Sequence, residues 1–391
     1  MTRRPLRRAI LAIAVALMMI LAACGGDDDD GGTSAEGGSS EEGGGGSAEE
    51  SAAAAEERLA PFLERATEIQ IDEPVSEAPP DGISVYWLEG NIQSIFPLTQ
   101  GFEDATAALG WDLTTVSYDP ADPQGPTSAM QQAIEAGADY IAVSGQTVDI
   151  LGTALEDAKS AGIPVVEISS TDEVTGEENG IYANVLGPGS SEASFPVVAD
   201  WVIADSGGDA NVLFVNIPDF AILQTVADAT NGQFEDACPE CEVTPLDVTI
   251  NDLTSGAVAS QVVSALQSNP DIDYVFLAIG DLATGLPDTL AGAGVAEQVK
   301  IVGGVPNPEQ IQSLIDGTSD AWIPLPRAAA AWTAVDAMVR HAVGMDIDPE
   351  SHEILPIELW TQENVPSPAS EYEGPENYQQ QFTELWGVSS S

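Results

Sequence analysis

The chain has 391 residues, of which 64 are acidic and 10 basic, and its formal net charge is −54 at pH 7. Four of the basic residues lie in the first eight positions and the other six are widely spaced. Nucleic acids and anionic membranes attract proteins through basic patches, so this composition excludes both as partners held by charge. The acidic residues predict a solvated surface, whose self-repulsion concentrated salt would screen.

The N-terminus has the parts of a secretory signal. Four arginines precede an uncharged apolar run at residues 9–23, which is shorter than the ~20 residues of a spanning helix. We therefore expect a signal peptide, 1–23, that is removed on export. The ending Leu21-Ala22-Ala23-Cys24 resembles the lipobox of bacterial lipoproteins, which implies a lipid on Cys24 that holds the protein at the membrane. The alternatives are an ordinary signal with a chance cysteine, an uncleaved anchor, or export by the twin-arginine route.

Residues 24–51 contain almost only Gly, Ser, Ala, Asp, Glu and Thr. Without large apolar side chains nothing offsets the entropy lost on ordering. We therefore expect a disordered, flexible tether. A short amphipathic helix at 52–69 and a Pro-rich lead-in to residue 81 are predicted to follow it.

Strands and helices alternate from residue 83 onward. Strands are predicted at 83–88, 111–117, 140–144 and 164–168, and helices at 102–109, 128–136 and 150–161. Gly110 and Gly137 are expected to end two of the helices. This alternation favours right-handed crossovers and a parallel sheet that is covered by helices on both faces.

The same pattern restarts in the second half of the chain. Strands are predicted at 211–216, 242–248, 274–278 and 300–302, and helices at 221–237, 257–267, 285–293, 308–315 and 328–343. Two such blocks predict an α/β fold with two lobes, each with its own doubly wound parallel sheet. Ligands bind beyond the carboxyl ends of such strands, so two facing lobes enclose a cleft.

Two cysteines remain once Cys24 is set aside. An even pair in an exported chain favours a disulfide between Cys238 and Cys241, closing a helix-to-strand turn. A thioredoxin-like redox pair is the alternative, although such a pair sits at the start of a helix. A zinc site needs two further ligands, and His341 and His352 lie far off in sequence, so we expect no metal.

Several stretches between residues 82 and 362 resemble the type I periplasmic binding proteins of the ribose and related sugar-import family, as does the tail. They are residues 83–86, 101–103, 109–111, 133–141, 161–166, 280–285, 301–304 and 382–387. The resemblance implies an N-terminal lobe of residues 82–186 plus 326–350, a C-terminal lobe of 187–325 plus 351–362, and a tail of 363–391. It also implies a hinge of three crossings, near 184–189, 324–327 and 348–355, that closes on a ligand.

The resemblance further implies a ligand pocket in the cleft. Its candidate residues are Trp87, Glu89, Asn91, Phe96, Ser144, Gln146, Ser169, Ser170, Asp219, Phe220, Asp281, Trp322 and Arg327. Ser169-Ser170 stands where sugar binders usually show Asp-Arg, and Gly303-Gly304-Val305 lacks the usual carboxylate. The pocket should therefore be less polar than that of a ribose binder, and the acidic candidates favour a neutral or cationic solute over an anion.

We therefore expect a monomeric, non-enzymatic lipoprotein that has no cofactor and delivers a neutral sugar or polyol-like solute to an ABC permease. The Cys24 anchor and the tether suggest a Gram-positive-type envelope. The alternatives are a ligand-sensing subunit for a membrane signalling partner, and a binder of a less polar or cationic solute. The chain lacks a Gly-x-Ser-x-Gly elbow and a phosphate loop, which argues against an enzyme. A transcription regulator of this fold would carry a DNA-binding helix-turn-helix where this chain has a signal and a tether.

Overall fold

The computed structural model describes residues 47–172, 174, 178–367 and 372–388. The predicted signal, Cys24 and the tether up to residue 46 lie outside these ranges. The first helix, α1 (Ala48–Leu59), begins four residues before the predicted start, because Ser47 and Glu50 form a reciprocal capping box. It ends ten residues early, since Pro61 lacks the N–H that would continue the helix.

A parallel five-stranded sheet builds the N-terminal lobe. Its strands lie in the order β2-β1-β3-β4-β5. They are β1 (Ser84–Gly90), β2 (Asp112–Tyr118), β3 (Tyr140–Ser144), β4 (Val165–Ile168) and β5 (Ile181–Val185). The helices α2 (Phe96–Leu109), α3 (Gly125–Ala136) and α4 (Val148–Ala161) connect the first four strands, and left-handed glycines at 110, 137 and 162 end them.

The C-terminal lobe has a six-stranded sheet in the order β11-β10-β9-β8-β6-β7. Its strands are β6 (Asn211–Asn216), β7 (Glu242–Asp247), β8 (Tyr274–Leu277), β9 (Lys300–Gly304), β10 (Ala321–Ile323) and β11 (Trp360–Thr361). Only β11 is antiparallel to its neighbour. The predicted two-lobed α/β fold is confirmed.

The remaining helices complete the two lobes. They are α5 (Pro188–Asp205), α6 (Ala221–Ala237), α7 (Ile250–Ser255), α8 (Val258–Ser268), α9 (Leu286–Ala293), α10 (Pro308–Asp316), α11 (Arg327–Ala342), α12 (Pro349–Glu353) and α13 (Tyr378–Trp386). Sequence reasoning did not identify β5, α5, α7, β10, α12, β11 or α13. Helix α5 is buried on all sides and contains Pro196, so it shows no amphipathic period.

Three crossings between the lobes fall close to the predicted hinge. The chain leaves the first sheet after β5, returns between β10 and α11, and leaves again after α12, which packs on β5 and α11. The third crossing is therefore at residues 354–359, slightly later than the predicted 348–355. The carbonyl of Glu353 accepts from Leu186 N, and its carboxylate accepts from Gly189 N, so the end of α12 is joined directly to the first crossing.

Two further crossings were not predicted. Helix α1 packs on α5 and places Leu59 in the core of the C-terminal lobe, whereas Ile71 lies in the core of the N-terminal lobe. Near the other end of the chain, Tyr372 belongs to the C-terminal core and Tyr378 to the N-terminal core. Residues 64–68 and 373–377 therefore also run between the lobes.

Glu358, just before β11, holds the first of these crossings, residues 64–68, by hydrogen bonds. Its buried carboxylate accepts hydrogen bonds from Arg65 Nη1 (3.3 Å), Ala66 N (2.9 Å) and Trp360 Nε1 (2.9 Å). The Arg65 guanidinium lies 4.9 Å from the centre of the Trp360 ring. The lead-in is thus held on the edge strand of the second sheet.

Replacing Glu358 with Gln should loosen this crossing, because the amide cannot accept all three hydrogen bonds. We expect a loss of about 2 kcal/mol in the free energy of unfolding and faster tryptic cleavage after Arg65. Limited proteolysis followed by mass spectrometry measures the second effect. Glu363→Gln, an exposed position five residues along, is the control, and equal cleavage rates in the two variants would contradict the assignment.

A second anchoring cluster, which we call the Asp336 hub, lies on α11. The Asp336 carboxylate is completely buried and accepts from Arg340 Nε (2.6 Å), His352 Nε2 (3.0 Å) and Trp386 Nε1 (2.7 Å). Arg340 also donates to the carbonyl of Glu73 (2.6 Å). One carboxylate therefore holds the lead-in, α12 and α13 against the central helix of the N-terminal lobe.

Cys238 and Cys241 form the predicted disulfide, with Cα atoms 5.3 Å apart, between α6 and β7. No helix within the described ranges is both long and apolar enough to cross a membrane. Among the same residues, no three His, Cys, Asp or Glu side chains are grouped as a metal site requires.

Candidate functional site

A cavity of about 80 Å³ lies between the lobes, beyond the carboxyl ends of strands from both sheets. The N-terminal lobe contributes the ends of β1 to β4 and the loops after them, and the C-terminal lobe contributes α5, α6 and the loops after β8 and β9. The hinge residues Leu186, Leu325 and Arg327 also line it. The volume has room for several water molecules.

Backbone strain concentrates around this cavity. Among the described residues, the non-glycine residues with positive φ are Ser169 (56°), Leu186 (54°), Val305 (53°) and Asn377 (58°), and the first three line the cavity. A left-handed conformation is unfavourable for any side chain, and most so for a β-branched one such as Val305. Strain of this kind persists where the surrounding structure enforces it, which is typical of functional sites.

The two lobes present different chemistry to the cavity. We call Tyr118, Ser144, Gln146 and Ser169 of the N-terminal lobe the polar face, although this lobe also lines the cavity with Ile92, Ile95 and Pro120. We call Phe195, Phe220, Ile222, Val226, Ile279 and Val305 of the C-terminal lobe the apolar face. The polar groups that the C-terminal lobe adds, Ser190 and Ser191, sit at the start of α5 beside the hinge.

The polar face is organised by one amide. Gln146 Nε2 donates to Tyr118 Oη (3.2 Å) and to the carbonyl of Ser144 (3.4 Å), which leaves the Tyr118 hydrogen available to a ligand. Burial raises the pKa of Tyr118 well above its usual value, so the phenol stays protonated. Ser190 Oγ is buried and has no hydrogen-bond partner among the described residues. These groups can donate to or accept from a hydroxylated solute.

The structure brings five of the sequence-predicted residues to the cavity. Ser144, Gln146 and Ser169 come from the N-terminal lobe, Phe220 comes from the C-terminal lobe, and Arg327 comes from the hinge. Gly145 has a φ of +69° and lies against the Phe220 ring, so the two lobes meet at this point. Ser144, Gln146 and Ser169 end or directly follow a strand, as the strand-end rule predicts, whereas Phe220 and Arg327 lie at the starts of α6 and α11.

Both predicted tryptophans lie in the hydrophobic core instead. Trp87 is fully buried, donates to Thr99 Oγ1 (2.7 Å) and packs against Phe102. Trp322 is also fully buried, donates to Ser319 Oγ and packs against Gly303. Neither lines the cavity. The reason is strand alternation, which turns these side chains toward the covering helices.

The three predicted carboxylates have partners outside the cavity. Glu89 accepts from Thr99 and Ser117, and Asp219 is exposed and accepts from Ile250 N (3.1 Å). Asp281 accepts from Ser94 N (3.4 Å) in the other lobe, so it bridges the lobes in an outer cleft. The described cavity lining contains no carboxylate, and the expected preference for a cation loses its basis.

The other three predicted residues also lie off the cavity. Asn91 faces the outer cleft, Phe96 is 47% exposed, and Ser170 is buried against Asn184 and Asp172. Sequence reasoning missed Tyr118, although it ends β2, where the strand-end rule points. It also missed Phe195 and Ser190, because α5 itself was not recognised.

A buried acid lies next to the site. Glu167 on β4 has no exposed surface, and neither carboxylate oxygen has a hydrogen-bond partner among the described residues. Burial raises the pKa of Glu167 to about 8, while the nearby Ser170 hydroxyl opposes the shift and the charge of Asp172 adds to it. The folded protein therefore holds a proton there at neutral pH.

Glu167→Gln should remove a pH dependence of stability. Between an unfolded pKa of about 4.5 and a folded pKa of about 8 the folded state binds the extra proton, so wild-type stability falls as pH rises. Relative to the Gln variant, the wild type should lose on the order of a few kcal/mol across this window. Urea unfolding at pH 5, 7 and 9 measures it, and parallel pH profiles would contradict the assignment.

The fold and the site together define a two-lobed α/β binding protein with a hinged central cleft. A family model described as "Periplasmic binding protein domain" matches residues 82–346. The chain belongs to this family, whose members are extracytoplasmic, non-enzymatic solute-binding proteins. The lead-in, α12 and α13 lie outside the matched region.

Solved structures share the fold. An ABC sugar transporter subunit from Rhodobacter sphaeroides 2.4.1 is 20% identical (TM-score 0.63), and the match covers 73% of this chain and 99% of that one. A 5-methylthioribose transporter solute-binding protein from Thermotoga lettingae TMO is 18% identical (TM-score 0.65; 80% and 95% covered). An ABC transporter solute-binding protein from Mycobacterium smegmatis with bound glycerol is 17% identical (TM-score 0.65; 76% and 100%). No curated protein gives a significant match.

Proposed function

We propose that this protein captures a small, uncharged sugar- or polyol-derived solute between its lobes and delivers it to an ABC importer. The observation that carries the proposal is the strained backbone at Ser169, Leu186 and Val305, gathered from both lobes and the hinge around one cavity. Solved relatives of the same fold that carry a sugar, a sugar derivative or a polyol in their names support this ligand class.

The membrane attachment is part of the same proposal. A lipid on Cys24 and the acidic Gly/Ser tether would keep a monomeric receptor near its permease and raise its effective concentration there. In an envelope without an outer membrane this tether would also prevent loss of the protein. Metabolic labelling with a radioactive fatty acid should mark the wild type and leave Cys24→Ser unmarked, and labelling of both would contradict the proposed site.

A thermal-shift screen of the mature, disulfide-intact chain tests the capture step. A solute that binds only the folded state raises the apparent stability by RT ln(1 + [L]/Kd). The panel contains glycerol, allitol, D-allose, glucose, ribose and 5-methylthioribose. A solute that raises the melting temperature in a concentration-dependent way supports the proposal, and the absence of any shift contradicts it.

Ser144→Phe tests whether the solute binds in this cavity. The new ring would fill the cavity beside Gln146, so we expect the ligand-induced shift to disappear while the protein stays folded. Ser260→Phe on the exposed side of α8 is the control. A shift that survives in Ser144→Phe would place the binding site elsewhere.

A further inference from the structure

Most polar groups of the cavity lie on its N-terminal side, whereas the C-terminal side is largely apolar. On the polar face, Tyr118, Ser144 and Gln146 offer hydroxyl, carbonyl and amide groups. On the apolar face, Phe220 closes against Gly145, and Ile222 and Val226 on α6 are both buried. A ligand held here meets hydrogen-bonding groups from the polar face and from Ser190, Ser191 and Arg327. It meets hydrocarbon from the apolar face and from Ile92, Ile95 and Pro120 of the N-terminal lobe.

Hydroxyl groups that point at the apolar face would lose water without gaining a partner. The carboxylates that sequence reasoning placed in the pocket, Glu89, Asp219 and Asp281, are engaged elsewhere and do not line the cavity. A buried hydroxyl without a partner weakens binding by about tenfold to a hundredfold. A fully hydroxylated sugar, which carries hydroxyls around its whole ring, therefore matches only half of this cavity.

We infer that the solute is two-sided, with a hydroxyl-bearing half that meets the polar face and an apolar half that meets the apolar face. Deoxy, alkyl or alkylthio derivatives of sugars and polyols belong to this class. The inference rests on the proposed function and makes it narrower. It also replaces the sequence-based expectation of a neutral or cationic solute selected by acidic side chains.

Apolar contact also contributes to the preference. Burying a methyl or methylthio group against Phe195, Phe220 and Ile222 removes hydrocarbon surface from water on both partners. Each buried CH₂-sized group strengthens binding by roughly fourfold. The apolar member of a matched ligand pair also avoids the cost of burying a hydroxyl that has no hydrogen-bond partner. It should therefore bind at least about tenfold more tightly than its hydroxylated parent.

Calorimetric titration of the mature chain with matched pairs tests this. The pairs are ribose and 5-methylthioribose, glucose and 6-deoxyglucose, and glycerol and 1,2-propanediol. We expect at least one apolar member to bind about tenfold or more tightly than its parent, and no parent to bind better than its partner. Equal affinities within all pairs, or a preference for the parents, would overturn the inference while leaving solute capture intact. Binding by none of the six would contradict the proposed function and this inference together.

Val226→Thr provides a second, independent arm. Threonine has nearly the shape of valine and adds one hydroxyl to the apolar face. The ratio of the two affinities within a pair, which favours the apolar member, should fall by about fivefold or more. The reason is that a hydroxyl of the parent solute can now form a hydrogen bond with the threonine hydroxyl. Val262→Thr, a fully buried valine of α8 away from the cavity, controls for the loss of stability. An unchanged preference in Val226→Thr would overturn the assignment of this face.

Discussion

Asp336→Asn is expected to lower the free energy of unfolding by about 3–5 kcal/mol, which would make it the most destabilising conservative change that we predict. The substitution keeps the shape of the side chain but removes its charge. Arg340, whose side chain is 3% exposed, would then be a buried cation without its carboxylate, and His352 and Trp386 would lose a charged acceptor. The cost comes mainly from leaving the buried charge uncompensated.

Urea unfolding followed by tryptophan fluorescence measures this loss. Asp346→Asn, an exposed carboxylate just beyond the end of α11, is the matched control and should change stability by less than about 0.5 kcal/mol. The hub also holds three segments outside the family domain, so the Asp336 variant should expose the lead-in and α13 to protease first. A stability loss no larger than that of the control would show that the hub does not hold these segments.

The Asp336 hub also predicts that the protein becomes less stable in acid. Burial by itself would raise the pKa of Asp336, but the hydrogen bond from His352 and the charge of Arg340 outweigh it and lower the pKa below its usual value. A carboxylate with a lowered folded pKa contributes stability above its unfolded pKa and loses it as pH falls. The protein should therefore lose stability below about pH 4, and the Asn variant should lose less over the same range.

Gly101→Ala is the second large effect that we expect, with a loss of about 2–3 kcal/mol. Gly101 lies where α2 crosses α11, and an added Cβ would lie only 2.4 Å from the carbonyl oxygen of Ala328 and 2.9 Å from its Cα. The obstacle is backbone, so the helices must separate. Because Ala328 follows Arg327 at the start of α11, the displacement should reach the cavity and weaken solute binding as well.

Thermal and urea unfolding measure the loss of stability in Gly101→Ala, and calorimetric titration measures the weakening of solute binding. Gly232→Ala in the middle of α6 is the control, because no atom lies within 4 Å of the added Cβ. That variant should be unchanged or more stable by about 0.5–1 kcal/mol, since alanine favours the helix. Equal stability of the two variants would show that close helix packing at Gly101 is not required.

Local sequence patterns predicted much of the fold. The strands at 140–144 and 211–216 and the helix at 221–237 have the bounds that were expected, because each has strong periodicity and clear flanking signals. Helix α5 was missed because burial on all sides leaves no period, and β11 is too short to give a signal. The candidate site was predicted less well than the fold.

The reason lies in what each kind of information specifies. The sequence by itself determined the two doubly wound lobes, the disulfide and the order of the loops that reach the cleft, since these follow from local periodicity and spacing. Only the tertiary structure decided which side chains face the cavity. A strand turns alternate residues to opposite sides, so Trp87 went to the core and Tyr118 to the cleft.

The tertiary structure also decided the partners of charged side chains, because these partners lie far away in the sequence. Arg340 binds the carbonyl of Glu73, 267 positions away, and Arg65 binds Glu358, 293 positions away. No local pattern in an acid-rich sequence distinguishes Asp336 and Glu167 from the many solvated carboxylates around them, and the stretch that singled out Asp281 did not show that it contacts the other lobe. In the folded protein Asp336 holds several segments together, Glu167 is protonated and Asp281 bridges the lobes. The three differ because the cost of removing a charge from water depends on the partners that folding supplies.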